Sequence, residues 1–271
     1  MCMKSTIFGM KKTMILGILN VTPDSFSDGN LFLDPAKAIN HAKKMVEDGA
    51  DIIDIGGEST KPGSEAVSEE EELRRVLPVL ELLLKEIAIP ISIDTTKPKV
   101  AEACLQLGAS LVNDVTGLRN EEMVKVVARY AAPVVIMHMK GTSKDMQKNP
   151  AYEDVIGEIQ EFFKERIRAA TVAGIRDIIL DPGIGFGKTT EHNVEILKRL
   201  KEFEKFGHPL LVGTSRKSFI GNITGLPVQE RLEGTLASTV IAVMNGASFV
   251  RVHDVKECKR ALQIADAIKY A

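Results

Sequence analysis

Residues 177–188 read Asp-Ile-Ile-Leu-Asp-Pro-Gly-Ile-Gly-Phe-Gly-Lys, a stretch built for chemistry as much as for packing. Ile178 to Leu180 is the apolar run of a strand buried on both faces, and Asp181-Pro182 ends it because proline cannot continue a ladder. A carboxylate therefore sits at a strand's C-terminal end. Behind it Gly183, Gly185 and Gly187 can take positive φ and lie close to a ligand, and Lys188 adds a cation. A lone Asp-Pro-Gly is also the sequence of a tight turn, so the reading depends on whether other apolar runs end the same way. They do, at Asn20, Glu58, Asp94, Asn113, Lys217, Arg251 and His253.

The charges among these ends sort by type. Asp94, Asn113 and Asp181 belong to the third, fourth and sixth runs, whereas Arg216, Lys217 and Arg251 belong to the seventh and eighth. That arrangement suits a flat heterocycle whose donor-rich edge faces the acids while its oxygen and an anionic tail face the cations. Residues 182–189 nearly spell a Walker A loop, but Pro182 stands where glycine is required, and the spacing of Gly183, Gly185 and Gly187 is not that of a dinucleotide fold. No Gly-x-Ser-x-Gly elbow occurs and no cysteine ends a run, so activity has to come from positioning and charge rather than a covalent nucleophile. His41, His138, His192, His208 and His253 show no i, i+4 pairing, which speaks against a structural zinc site.

Strands are expected at Met14 to Leu19, Asp51 to Ile55, Pro90 to Ile93, Ser110 to Val112, Pro133 to Met137, Ile178 to Leu180, Pro209 to Val212 and Ser248 to Val250. Each is followed by a helical stretch: Pro35 to Asp48, Ser68 to Ile87 with a Ser68/Glu71 capping box, one capped by Thr95 or Thr96 and ending at Gly108, Asn120 to Ala131, Tyr152 to Ala173, Glu191 to Phe206, a two-part region to Asn245, and Lys256 to Lys269. Eight such units predict an α/β chain folded as a (β/α)₈ TIM barrel, one domain over residues 1–271, with its site at the C-terminal face of the strands. An open doubly wound sheet is the alternative, but its first turn is normally glycine-rich, and here it reads Asn20-Val21-Thr22-Pro23.

With 271 residues, 44% apolar, the chain has ample material for such a core. A net charge of -2, with no like-charge run longer than Glu69–Glu72, gives no support to a nucleic-acid or anionic-membrane partner. Cys2, Cys104 and Cys258 are odd in number and far apart, the pattern of free thiols in a reducing compartment; no apolar stretch approaches a membrane span, so a cytoplasmic protein is expected.

Seven motifs, in order along the whole chain, resemble those of the dihydropteroate synthases. They are Leu19-Asn-Val-Thr-Pro-Asp-Ser-Phe-Ser-Asp-Gly29, Asp54-Ile-Gly-Gly-Glu-Ser-Thr60, Ser92-Ile-Asp-Thr95, Asn113-Asp114, Asp181-Pro-Gly-Ile-Gly-Phe-Gly187, Gly213-Thr-Ser-Arg-Lys-Ser218 and Arg251-Val-His253. The resemblance implies a transferase that joins 6-hydroxymethyl-7,8-dihydropterin diphosphate to p-aminobenzoate, releasing pyrophosphate with Mg²⁺. It further implies that Asp181 accepts from the pterin 2-amino group and N3–H, that Asn113 completes that edge, that Asp94 lies by the ring nitrogens, and that Lys217 donates to the 4-oxo oxygen and N5. Arg251 would stack on the ring, with Met137 in the pocket floor and Gly213 among the substrate-binding residues. Asn20, Thr60, Arg251 and His253 would hold the diphosphate, with Asn20 reaching Mg²⁺; Asp94, Lys217, Arg251 and His253 would carry catalysis. Phe26 and Phe186 would clamp the aminobenzoate ring beside Pro62 and Ser218, with Lys61 near its carboxylate. Lys61 is a departure, since the family usually has arginine there and lysine lacks the bidentate fork. The alternative is a pterin-binding methyltransferase domain acting on methyltetrahydrofolate. Leu232 to Met244, apolar or small on most faces, is expected at a homodimer interface.

Overall fold

The computed structural model describes residues 12–22, 35–59, 63–142 and 144–271. Eight parallel strands close into a barrel in sequence order. They are β1 (Met14–Asn20), β2 (Ile52–Gly56), β3 (Ile91–Asp94), β4 (Leu111–Asp114), β5 (Val134–Met137), β6 (Ile178–Asp181), β7 (Leu210–Val212) and β8 (Ala247–Val252). Between and after them run α1 (Pro35–Glu47), α2 (Glu69–Glu86), α3 (Pro98–Leu107), α4 (Glu121–Tyr130), α5 (Val155–Val172), α6 (Thr190–Lys198), α7 (Ser218–Thr224), α8 (Leu232–Met244) and α9 (Val255–Lys269). The expected (β/α)₈ TIM barrel is the fold found.

The barrel forms because each strand is apolar on both faces, and the two-residue period sends alternate side chains to different cores. Met14, Leu16, Ile52, Leu111, Val135, Ile179, Leu211 and Phe249 make one closed cluster, the plug inside the barrel. Their neighbours, among them Ile15, Ile53, Ile91, Val112, Val134, Ile178 and Val250, belong to a separate and larger cluster with helix residues such as Ala38, Leu80 and Phe163. Closure is set by register, with Asn20 opposite Gly56, Gly56 opposite Asp94 and Asp94 opposite Asn113. The mouth residues of the first four strands are thereby brought level.

Several local expectations change. Ser68 Oγ does accept from Glu71 N, but the Glu71 carboxylate bonds Arg74 and Arg75 instead of returning to the cap, so the capping box is only half made. A guanidinium outcompetes a backbone amide for a carboxylate. The cap of α3 is Lys97 with no side-chain bond, because an ammonium has no acceptor to offer the first-turn N–H groups; Thr95 Oγ1 instead accepts from Lys97 N at 3.2 Å. Asp154 caps α5, and Tyr152 is left outside to donate its hydroxyl to Gly187 O at 2.8 Å. Thr189 and His192 form a capping box on α6, which ends at Lys198 and continues as a 3₁₀ turn, Leu200–Phe206.

Candidate active site

Two residues beyond the plug, along the same strand faces, the side chains change character. Ile52 is followed by Asp54, Leu111 by Asn113, Val135 by Met137, Ile179 by Asp181, Leu211 by Gly213 and Phe249 by Arg251. A polar layer therefore lies directly on an apolar floor. Asp54, Asn113 and Asp181 are all buried in it.

The layer is cross-linked. Arg251 donates from Nε to Asp54 Oδ2 at 2.6 Å and from Nη2 to Asp94 Oδ2 at 2.7 Å. Asn113 Nδ2 donates to the same Asp54 oxygen at 3.0 Å. Acids and cations interleave here instead of facing each other across the mouth as the sequence order implied. Buried charges of one sign would repel and stay unpaired, at a cost of several kcal/mol each, so the guanidinium from β8 settles between carboxylates of β2 and β3 (about 3–5 kcal/mol for breaking such a pair). Arg216 leaves the group altogether: exposed, it bonds Asp254 through Nε and Nη2 at 3.1 and 2.5 Å. Asp54 was missed among the site residues, although one acid inside the run Ile52-Ile-Asp-Ile-Gly56 was a readable signal of a buried partner.

Burial dominates the titration of the layer. Asp94 is pushed up to about 7, against the pull of Arg251 and with help from Asp54, Glu72 and Asp114. Asp181 is pushed up to about 6, opposed by its bond from Gly183 N–H and by Lys217, Lys188 and Arg251. Lys217 is held down to about 8 by burial and by Arg251. Groups poised this near neutrality in a cleft mark a functional site. The Oδ1 atoms of Asp54 and Asp94 are buried without partners among the described residues, two acceptors awaiting donors.

Asp181 and its glycines form the opposite wall. Gly183 N donates to Asp181 Oδ1 at 2.7 Å and fixes the carboxylate's rotamer. Gly183 and Gly187 have φ of 71° and 64°, and a Cβ on either would fall 2.0 Å from His138 O or 2.2 Å from Lys140 O, so only glycine fits. Lys188 turns inward beneath the loop, donating to Gly183 O at 2.9 Å and Phe186 O at 3.0 Å. That inward turn spends the Walker-like lysine on its own loop. Phe186 caps an apolar wall with Val115, Met137, Met139 and Met146, and Lys217 Nζ lies 4.0 Å from its ring centroid.

The remaining candidates divide. Asn20 ends β1 half-buried, opposite Gly56. His253, just past β8, meets Ser215 Oγ through Nδ1 at 2.9 Å, and Gly213 lies against Arg251 with room for a Cβ at 3.7 Å. Ser218 is exposed at the start of α7. Phe26, Thr60, Lys61 and Pro62 lie outside the described residues. Beside Asp94 a cavity of about 1010 Å³ opens, lined by Glu58, Thr95, Val115, Thr116 and Met139. Among the described residues no group of three or more His, Cys, Asp or Glu could hold a metal ion. None of the helices in those residues is long and apolar enough to cross a membrane.

A family model described as pterin binding enzyme matches residues 16–253. The dihydropteroate synthase of Clostridium beijerinckii is 50% identical over 262 residues, covering 95% of each chain. Among solved structures, the Yersinia pestis dihydropteroate synthase in a sulfonamide drug complex superposes with a TM-score of 0.93 at 44% identity, covering 97% of both chains. The Clostridium difficile dihydropteroate synthase in the presence of pteroic acid superposes with a TM-score of 0.90 at 51% identity, covering 95% of this chain and 97% of that one.

Proposed function

Since the chain belongs to the pterin binding enzymes and, within them, to the dihydropteroate synthases, we propose how this mouth performs that family's transfer. The enzyme is a transferase of folate biosynthesis that condenses 6-hydroxymethyl-7,8-dihydropterin diphosphate with p-aminobenzoate to 7,8-dihydropteroate and pyrophosphate. The relatives' names give no support to the methyltetrahydrofolate reading.

One observation carries the assignment of roles: Asp94, Asn113, Asp181 and Arg251 gather in a single polar layer over an apolar floor, with Lys217 among them. Asp181, its rotamer set by Gly183, accepts from the pterin 2-amino group and N3–H. Asn113 lies on the same edge and Met137 beneath it. Arg251 is held in its own plane through Nε and Nη2, which leaves the flat face of the guanidinium open to stack on the ring. Lys217 donates to the 4-oxo oxygen and N5. When the carbon–oxygen bond breaks, positive charge spreads from the pterin methylene into the ring, and the Asp94 carboxylate stabilises it. His253 and Arg251 receive the departing diphosphate with Asn20 and Thr60. The aromatic amine of p-aminobenzoate is neutral at physiological pH and attacks without a general base, between Phe186 and Phe26 and near Pro62, Lys61 and Ser218.

Mg²⁺ fits this donor set as an ion carried by the diphosphate. It prefers oxygen ligands and keeps waters, so the Asn20 amide oxygen with phosphate oxygens suffices where the described residues offer no protein cage. When bound, it would neutralise leaving-group charge.

The acting unit is a single barrel domain over residues 1–271, paired as a homodimer in the cytoplasm. The pairing rests on α8, whose buried face is mixed, with Ala242 and Val243 beside hydroxyl residues, and whose outer face carries apolar side chains. Thr235, Ser238 and Thr239 face inward, where Thr235 Oγ1 accepts from Arg216 N at 3.0 Å and Thr239 meets Thr214 at 3.0 Å, while Ile241 and Met244 are exposed. Sedimentation showing only monomer at micromolar concentration would count against it.

Mixing the purified protein with both substrates and Mg²⁺ tests the function: pyrophosphate and dihydropteroate appear in equal amounts. Absence of either product defeats the reading.

A further inference from the structure

Asp54 is a fully buried carboxylate near the middle of β2, below the mouth, and its Oδ2 accepts from both Arg251 Nε and Asn113 Nδ2. An ionised carboxylate can only accept, so the Asn113 amide has to turn its NH₂ toward Asp54. Its carbonyl oxygen is then presented to the mouth. The same Asp54 oxygen holds the Nε corner of Arg251 while Asp94 holds Nη2, so two in-plane bonds fix the guanidinium plane.

Nothing in the packing of β2 requires an acid there. Its neighbours Ile52, Ile53 and Ile55 are fully buried and apolar, and burying a carboxylate costs several kcal/mol. Replacing such a buried pair with apolar side chains is often neutral or stabilising, so stability alone does not explain the residue.

Resting on the pterin-transfer reading, we propose that Asp54 is a positioning residue for the reaction: it selects which end of the Asn113 amide meets the pterin and sets the plane in which Arg251 meets the ring. It touches no reacting atom and acts through these two side chains.

Its charge also acts on Asp94, whose carboxyl is faced by Arg251 from β8 and Lys217 after β7, and by Asp54 from β2, Glu72 from α2 and Asp114 from β4. Burial is the largest cause of the high Asp94 value of about 7, and Asp54 adds to it. Neutralising Asp54 therefore lowers the pH at which Asp94 ionises. It also releases Arg251 to pair more fully with Asp94, which acts in the same direction.

The test is Asp54→Asn in the full chain, assayed with 6-hydroxymethyl-7,8-dihydropterin diphosphate, p-aminobenzoate and Mg²⁺ from pH 5.5 to 9. A wild-type protein without activity defeats the functional reading itself, whereas the comparison of variant with active wild type bears on Asp54 alone. The expected result is a ~10- to 100-fold fall in kcat/KM for the pterin substrate. The KM for p-aminobenzoate stays within ~2-fold, and the acid limb moves down by ~0.5–1 pH unit. In Asp54→Asn/Arg251→Lys the losses are less than additive, because part of the Asp54 effect runs through Arg251 and only the part through Asn113 remains. Unchanged kinetics, an unmoved acid limb, or additive losses overturn the proposal. Should Asp54→Asn fail to fold, the unsubstituted protein decides. Its Arg251 Nε–H, identified in NMR spectra by its loss in Arg251→Lys, is expected to resist solvent exchange, and exchange as free as at a surface arginine overturns the proposal.

Discussion

Beneath the glycine loop that follows β6, Lys188 Nζ and His138 Nδ1 face each other at 3.0 Å. Burial pushes the His138 imidazole down to about 2, which keeps the ring neutral, and the Lys188 ammonium down to about 7; below that pH the ammonium donates. The same Nζ is within hydrogen-bonding distance of the carbonyls of Gly183, Phe186 and His138, so at most three protons are shared among four acceptors, and it is the centre on which the glycine loop is wound. Through Gly183 it reaches Asp181, and through Phe186 it reaches Lys217.

Lys188→Met keeps the volume of the side chain but leaves those buried carbonyls without their donor. We expect a loss of about 2–4 kcal/mol in denaturant unfolding, as an orphaned buried acceptor costs roughly 1–3 kcal/mol. A ~10- to 100-fold fall in kcat/KM for the pterin substrate accompanies it. The pH dependence carries a second signature. The folded value near 7 lies below the ordinary lysine value of 10.5, so between them the unfolded chain binds the extra proton, and this residue's contribution makes stability rise with pH through that window. The Met variant lacks that rise, and a variant as stable and active as wild type would refute the role.

Gly183→Ala meets both obstacles at once, a φ of 71° and His138 O at 2.0 Å from the added Cβ. The loop has to open to admit the methyl group. Unfolding should cost at least ~2 kcal/mol less than in wild type, and pterin binding by calorimetry should weaken sharply. Equal stability and affinity would mean the loop is not held as described.

Asp181 is buried at the barrel end rather than standing on an exposed rim, so alanine would strip the acceptor from Gly183 N–H. Asp181→Asn keeps that acceptor and removes only the charge and one lone-pair edge. Its melting temperature stays within a few degrees of wild type while pterin affinity falls by ~100-fold or more, the worth of a charge-assisted pair. Wild-type affinity in this variant would show that the pterin is read elsewhere.

The kcat/KM profile for the pterin substrate is expected to be bell-shaped. Asp94 and Asp181 must be ionised to act, so activity rises with pH through about 6 to 7. Lys217 must be protonated to donate, so activity falls as pH passes about 8. Initial rates at subsaturating pterin substrate from pH 5 to 10 measure both limbs, and a flat profile across that range would contradict the assignment.

Much of this was legible along the chain. Apolar runs ending in Asn20, Asp94, Asn113, Asp181 and Arg251, with Glu58, Lys217 and His253 just beyond three of the runs, marked seven of the eight strand ends, and the helices between them carried ordinary start and stop signals. What misled was local competition for hydrogen bonds. Glu71 had two arginines within reach and Arg216 had Asp254, partners that spacing alone does not rank.

The order of residues determined the barrel, because hydrophobic alternation and helix periodicity act over a few positions and every strand carries its own copy. It determined as well that polar groups would stand two residues above an apolar plug. Only the closed tertiary structure decided which charge each of them meets. Asp54 and Arg251 lie 197 positions apart, and they touch because β1 is hydrogen-bonded to both β2 and β8. Inside that ring water is excluded, so a buried charge takes whichever opposite charge the closure brings within reach.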